Sequence, residues 1–205
     1  LADLEEMGLL SQPHTSAGRV PTERAYRMHV DGLMEVHPLT PREQDRIRAG
    51  FESKLQDGAD LMRRTSHLLS SFSSQVGLVV APRLDEAGLK RVELVRAGKG
   101  RVMAVVISDR PLGESDLYVE EPARILDQPE FLDVERMKSL FRAFEEKSRI
   151  LRLLDAMIEA EGVRVVIGSA LEAAGMRGCS LIVTRYTTGP SATGSLGVIG
   201  PTRMN

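Results

Sequence analysis

The 205 residues predict an α+β fold with a largely antiparallel sheet. Three observations point there. Apolar residues recur at helical spacing through the first third of the chain and again over 134–159. Short β-rich runs arrive in adjacent pairs at 76–108 and 163–199. Strands that neighbour one another in sequence, with the helices set apart from them, pair antiparallel rather than through βαβ crossovers.

The chain opens inside an apolar-periodic helix with Leu1, Leu4 and Met7 on one side. It carries no start signal, so further chain is expected upstream. Gly8 suits a left-handed cap. Leu9-Leu10-Ser11 starts a strand, Gln12–Gly18 is turn chemistry, and Arg19-Val20 returns as a second strand. Pro21-Thr22 ends it, with Thr22 as N-cap of a helix carrying the stripe Tyr26, Val30, Leu33, Met34. The order is helix, hairpin, helix.

His37-Pro38-Leu39 reads as a linker. Thr40-Pro41-Arg42-Glu43 places a hydroxyl at N-cap, proline at N1 and glutamate at N3, which is a capping box. From Phe51 a heptad runs through Leu55, Gly58, Met62, Thr65, Leu69 and Phe72. It predicts a helix packed along one narrow seam, on its own domain rather than in a coiled coil. Val76–Ala81, Arg91–Val95 and Val102–Ser108 are strands, the last two joined at Gly98-Lys99-Gly100 as a hairpin. Residues 109–115 read as a loop. Residues 134–159 read as one helix, with Met137, Leu140, Phe141, Phe144, Ile150, Leu151, Leu154 and Ile158 inward. Val163–Ile167, Ser180–Tyr186 and Ser195–Ile199 complete the strands.

Composition narrows the function. Apolar residues are 42% and charged residues 27%, which excludes collagen-like and disordered chains. No run approaches the roughly 18 apolar residues of a membrane span. One cysteine, Cys179, excludes an internal disulfide framework and a Cys-rich zinc site. Nothing at the start reads as a signal peptide, so a cytoplasmic protein is expected. With 27 basic against 29 acidic residues the net charge is −2. That excludes a generally basic nucleic-acid binder but leaves room for one local binding element. No Trp and 4% aromatics argue against a stacking platform for single strands.

Catalysis finds no support in the residues. His14, His29, His37 and His67 lack metal-ligand spacing, and His67 reads as a solvated helix position. Cys179, at the start of a strand and without a nearby histidine, reads as a half-buried structural thiol rather than a nucleophile. Glu120-Glu121 and Glu145-Glu146 read as solvated faces. The glycine-rich stretch 189–200 has no phosphate-loop arrangement and reads as a tight hairpin. No cofactor or metal is expected.

The first hairpin is the informative feature. Leu9–Met28 holds Arg19, Arg24 and Arg27 against Glu23, a local +2, whereas residues 1–35 as a whole hold six acids against three arginines. Pro13-His14-Thr15-Ser16 offers small donors in a loop, and Arg19 a planar fork suited to phosphate or a guanine edge. A helix followed by such a hairpin is how a winged helix-turn-helix ends. A plain surface hairpin fits the same residues.

Longer stretches carry a family resemblance. Leu4-Glu5-Glu6-Met7-Gly8, Gln12–Thr22, Tyr26-Arg27 and Val30-Asp31 resemble the winged-helix end of the HrcA family, bacterial heat-inducible transcription repressors. Gln128-Pro129-Glu130-Phe131, the helix after it with Leu140 and Glu145, Val163–Gly168 and Ser180–Tyr186 are similar in order. So is Gly197–Asn205 at the end.

The resemblance implies a winged-helix part at 1–35, a linker and connecting helix at 36–75, and a GAF-like domain at 76–205. It implies a homodimer that binds double-stranded DNA at an inverted-repeat operator (CIRCE) ahead of chaperone operons, helped by the GroE chaperonin, with no membrane partner. His14, Thr15, Ser16, Arg19, Thr22 and Arg24 would be the wing positions near DNA, Arg19 and Arg24 as phosphate contacts. Thr22 also suits a purely structural part as the cap. The family's inserted dimerising domain belongs near 109–117, where only a few residues stand. Residues 117–126 lack the usual glycine-rich form, and Ile167–Leu171 lacks an acid-amide pair. Two further readings are a GAF-like small-molecule sensor, which needs a roomy polar pocket in 76–205, and a chaperone-interaction module.

Overall fold

The computed structural model describes residues 1–12, 18–35, 37–84, 92–96, 102–106, 116–128, 131, 133–158, 162–188 and 192–204. Its elements are α1 (Ala2–Glu6), β1 (Leu10–Ser11), β2 (Val20–Pro21), α2 (Glu23–Gly32), α3 (Pro41–Ala49), α4 (Gly58–Ser73) and β3 (Val76–Leu84). There follow β4 (Val92–Arg96), β5 (Val102–Val106), β6 (Leu117–Glu120), α5 (Val134–Glu145), α6 (Lys147–Ile158), β7 (Val163–Ile167), β8 (Cys179–Thr188) and β9 (Ala192–Pro201). Two 3-10 segments, Pro122–Asp127 and Gly168–Ala174, join them. The fold is α+β, and each described strand pair is antiparallel.

Five strands form the central sheet in the order β6-β3-β9-β8-β7. Alternation along β3 assigns its two faces. Val76, Leu78 and Val80 point into a core with Leu140, Phe144, Ile150 and Leu154 of α5 and α6. Leu181, Val183 and Ile199 from the neighbouring strands complete that layer. The opposite face carries α4, which crosses at Gly77. A Cβ built on Gly77 would lie 2.0 Å from the Ser66 carbonyl oxygen. Only glycine permits that approach, and the helix residues nearest the sheet, Ser66 and Ser70, are small and fully buried. Their hydroxyls are satisfied: Ser66 Oγ donates to the Tyr118 carbonyl at 3.3 Å and Ser70 Oγ to Glu121 Oε2 at 3.4 Å.

Local signals formed where expected. Thr40 and Glu43 close the capping box. Gly8 sits at φ +69° after α1. β4 and β5 pair as a hairpin, although its turn lies outside the described residues, as does the loop expected at 109–115. β8 and β9 pair from Cys179↔Pro201 to Thr188↔Ala192.

Two expectations are corrected, and one strand was not anticipated. The heptad from Phe51 does not lie on one helix. α3 ends at Ala49, and α4 starts at Gly58 behind Asp57, whose carboxylate accepts from Asp60 N at 2.7 Å. The cap overrides the apolar period, leaving Leu55 38% exposed. The helix at 134–159 is two helices broken at Glu146, whose ψ is 65°. Phe144 and Leu151 are one heptad apart, so a period cannot register a break between them. Residues 117–120 form strand β6, pairing Val80↔Leu117 through Gly77↔Glu120.

Candidate nucleic-acid interface

The candidate site is the helix–hairpin–helix at the N-terminus. β1 and β2 pair over two residues each, Leu10↔Pro21 and Ser11↔Val20, too short to hold a hairpin alone. Polar ties hold it instead. Thr22 Oγ1 donates to the Gly8 carbonyl at 2.8 Å and accepts from Ala25 N at 3.3 Å. Its amide donates to the Leu9 carbonyl at 3.0 Å, and the Leu9 amide to the Leu4 carbonyl at 2.8 Å. Among the described residues of this unit, Leu9 is the buried apolar one.

Arg19 leaves β2's side of the hairpin to meet α1. Its Nε donates to Glu5 Oε2 at 2.7 Å, and its side chain stays 40% exposed. Arg24 is exposed in the first turn of α2, its Nη1 3.7 Å from where a Gly8 Cβ would stand. Arg19 is thus tied to α1 by its ion pair, and Arg24 lies beside the turn after α1. Thr22 has its hydroxyl spent on the cap and the Gly8 turn, which is the structural part anticipated for it. His14, Thr15 and Ser16 lie outside the described residues.

Arg27 and Glu23 place their charged groups against the sheet rather than in the hairpin. Both turn toward the sheet: Arg27 Nη1 donates to the Val165 carbonyl at 2.8 Å, and the Glu23 carboxylate accepts from the Ser169 amide at 3.0 and 3.1 Å. Sequence reasoning counted these two as local charges and missed their role. The available signal was their i, i+4 spacing, which puts them on one face of α2. The stripe expected on α2 is half-buried at Tyr26 and Val30, while Leu33 and Met34 are 64% and 48% exposed.

Other chemistry-bearing groups have structural partners. Cys179 is fully buried, and burial pushes its thiol up to about 12, with Arg136 pulling the other way. A thiol so placed is a weak nucleophile at neutral pH. Glu121 is not a solvated acid. It accepts from Arg124 Nε and pairs with His67 Nδ1 at 3.0 Å, while the His67 side chain remains 58% exposed. Among the described residues no group of three His, Cys, Asp or Glu side chains could hold a metal ion, and no helix is long and apolar enough to cross a membrane. A recess beside α6, lined by Leu154, Met157, Arg164, Val183, Arg185 and Ser195 among others, is too tight to take up even a water-sized molecule, far from the roughly 300 Å³ and upward of a usual small-molecule site.

Comparison with known proteins bears on the whole chain. The family model described as the HrcA protein C terminal domain matches residues 59–112 and 110–205. The chain is 34% identical to a "Heat-inducible transcription repressor HrcA" of Geobacter sulfurreducens, covering all of this chain and 80% of that protein. It is also 34% identical to the protein of the same name from Syntrophobacter fumaroxidans, covering all of this chain and 79% of the relative. A crystal structure described as a hypothetical protein at 2.2 Å resolution superposes with TM-score 0.59 at 15% identity, over all of this chain and 79% of the other. That likeness concerns the fold alone. The alignment to the Geobacter protein spans 272 positions against 205 residues here, so the relative has 67 more residues within the aligned span. The family match breaks at 110–112.

Proposed function

The chain belongs to the HrcA family of heat-inducible transcription repressors, and from that premise we propose that it represses heat-shock chaperone operons. It does so as a homodimer on an inverted-repeat operator of the CIRCE kind, with the GroE chaperonin modulating its activity. It works in the cytoplasm and without catalysis. Residues 1–35 supply the C-terminal part of a winged helix-turn-helix, 36–75 the linker and connecting helix, and 76–205 a GAF-like domain. The 110–112 break in the family match is where the inserted dimerising segment of the relatives belongs.

The observation that carries this reading is the similarity to named repressors along the full chain. The geometry of the N-terminal unit is compatible with it. His14, Thr15, Ser16, Arg19, Thr22 and Arg24 then form the wing side toward DNA, with Arg19 and Arg24 on phosphates. The two-fold symmetry of a dimer matches a palindromic site.

The test is binding of the full-length protein to the inverted repeat and to a scrambled duplex across a salt series. A repressor binds the operator tightly, with a steep salt slope. Arg24→Ala should weaken binding to all duplexes and reduce the slope by about one. Arg19→Ala should do the same with a larger loss, since it also frees Glu5 as an unpaired carboxylate near DNA. Equal binding to both duplexes sinks the repressor reading.

A further inference from the structure

The N-terminal unit meets the sheet through one face of α2. Glu23 and Arg27 lie one turn apart on that face. Their targets belong to β7, one of the two outer strands of the sheet, and to the turn that follows it. An edge strand presents backbone groups that no neighbouring strand can satisfy. Arg27 takes one of these, the Val165 carbonyl, at 2.8 Å. The Ser169 amide lies at the start of a 3-10 turn, and both Glu23 oxygens approach it, at 3.0 and 3.1 Å. Gly168 is shaped for that contact. Its φ is +59°, and a Cβ there would stand 1.9 Å from Glu23 Oε1. The space a side chain would fill holds the carboxylate.

Beyond this clamp, residues 33–40 connect the unit to the rest of the chain. Leu33 and Leu39 within them are 64% and 52% exposed, and the described residues there form no helix or strand. Glu23 and Arg27 therefore supply side-chain hydrogen bonds that join the N-terminal unit to the sheet. Arg24, although one turn before Arg27 on α2, is exposed and carries its guanidinium to the Gly8 turn rather than to β7.

We propose that Glu23 and Arg27 are positioning residues that lock the DNA-reading unit at a fixed angle on edge strand β7, and so set the half-site spacing the protein accepts. This rests on the repressor reading above. A dimer that reads two half-sites gains from the second contact only if both units are held at the operator's separation. Loosening the clamp should weaken binding to paired half-sites and relax the demand on spacing, while sparing a single half-site.

Glu23→Ala is the informative variant, because a carboxylate does not bind phosphate. Deleting an acid near DNA should by itself tighten binding. The expected result is the reverse: about tenfold weaker binding to the correctly spaced inverted repeat. An isolated half-site should change by less than about twofold, and a repeat lengthened by one or two base pairs should be discriminated less sharply. Gly168→Ala should act in the same direction, and the double variant should be no worse than Gly168→Ala alone, because both changes break one contact. Amide exchange of Ser169 in the DNA-free protein is the second measurement, protected in the parent and fast in Glu23→Ala. Unchanged Ser169 exchange overturns the clamp whatever the DNA results. Equal losses on the half-site and the full operator overturn the positioning role. A parent protein that ignores the operator overturns the repressor reading and with it the spacing role, while the exchange result still decides whether the contact exists.

Discussion

The helix–hairpin–helix unit and the five-stranded sheet are stabilised by different means. Among the described residues, nineteen buried hydrophobic side chains form one cluster on the sheet, all from Val76 onward. The N-terminal unit buries Leu9 and leaves Leu1, Leu4, Met7, Val20, Met28, Leu33 and Met34 exposed. Its geometry comes from hydrogen bonds: the Thr22 cap, the Arg19–Glu5 pair and the clamp on β7. Burial is worth roughly 1.5–3 kcal/mol for each large side chain, whereas a part-exposed ion pair contributes about 0–1 kcal/mol. One region is thus a rigid platform. The other keeps its orientation through a few polar contacts that a modest free energy can open.

The contrast can be broken first at the platform. Leu181→Ala, on a fully buried site, should lower unfolding free energy by about 3 kcal/mol, read as a lower urea midpoint at unchanged slope. A loss below about 1 kcal/mol would mean the core collapses around the gap and is not the rigid layer described.

Cys179 probes the same core through pH. Its thiol is raised from the ordinary 9.0 to about 12 by burial, so the folded state holds this proton more tightly than the unfolded chain. The sign follows: this contribution is complete below pH 9 and is lost as pH climbs toward 12. Stability of the parent should therefore fall more steeply across that window than that of Cys179→Ala. Parallel curves would contradict the burial.

Gly77→Ala drives a methyl group against the Ser66 carbonyl and should cost about 2 kcal/mol, since helix and sheet must separate. An unchanged melting temperature would mean that α4 is loosely seated. In the N-terminal unit, Thr22→Ala removes the cap and the tie to Gly8. It should cost about 1 kcal/mol locally, seen as faster exchange of the Ala25 amide with little change in the sheet. Leu33→Ala, at a 64% exposed site, should change stability by less than about 0.5 kcal/mol. A larger loss would show that this surface is packed in the full-length protein.

How much was legible follows from how local each signal is. The Thr40–Glu43 box, the Thr22 cap and the left-handed Gly8 each involve residues within one turn, and all three formed. The β-rich runs formed strands near the expected bounds. The break at Glu146 was invisible because the apolar period continues through it in phase. β6 was invisible because Leu117–Glu120 is short and only pairing with β3 makes it a strand. At the candidate site, Arg19, Thr22 and Arg24 could be named from sequence. The partners of Glu23 and Arg27 could not, being 146 and 138 residues away.

The chain alone therefore determined its caps, its hairpins, its α+β class and, through long ordered motifs, its family. These depend on backbone preferences and apolar spacing within a few residues. Tertiary structure decided which face of α4 meets the sheet, because Gly77 admits a helix only where Ser66 and Ser70 pass. It also decided where the N-terminal unit rests, because the unpaired edge of β7 and the empty side of Gly168 exist only once the sheet has assembled.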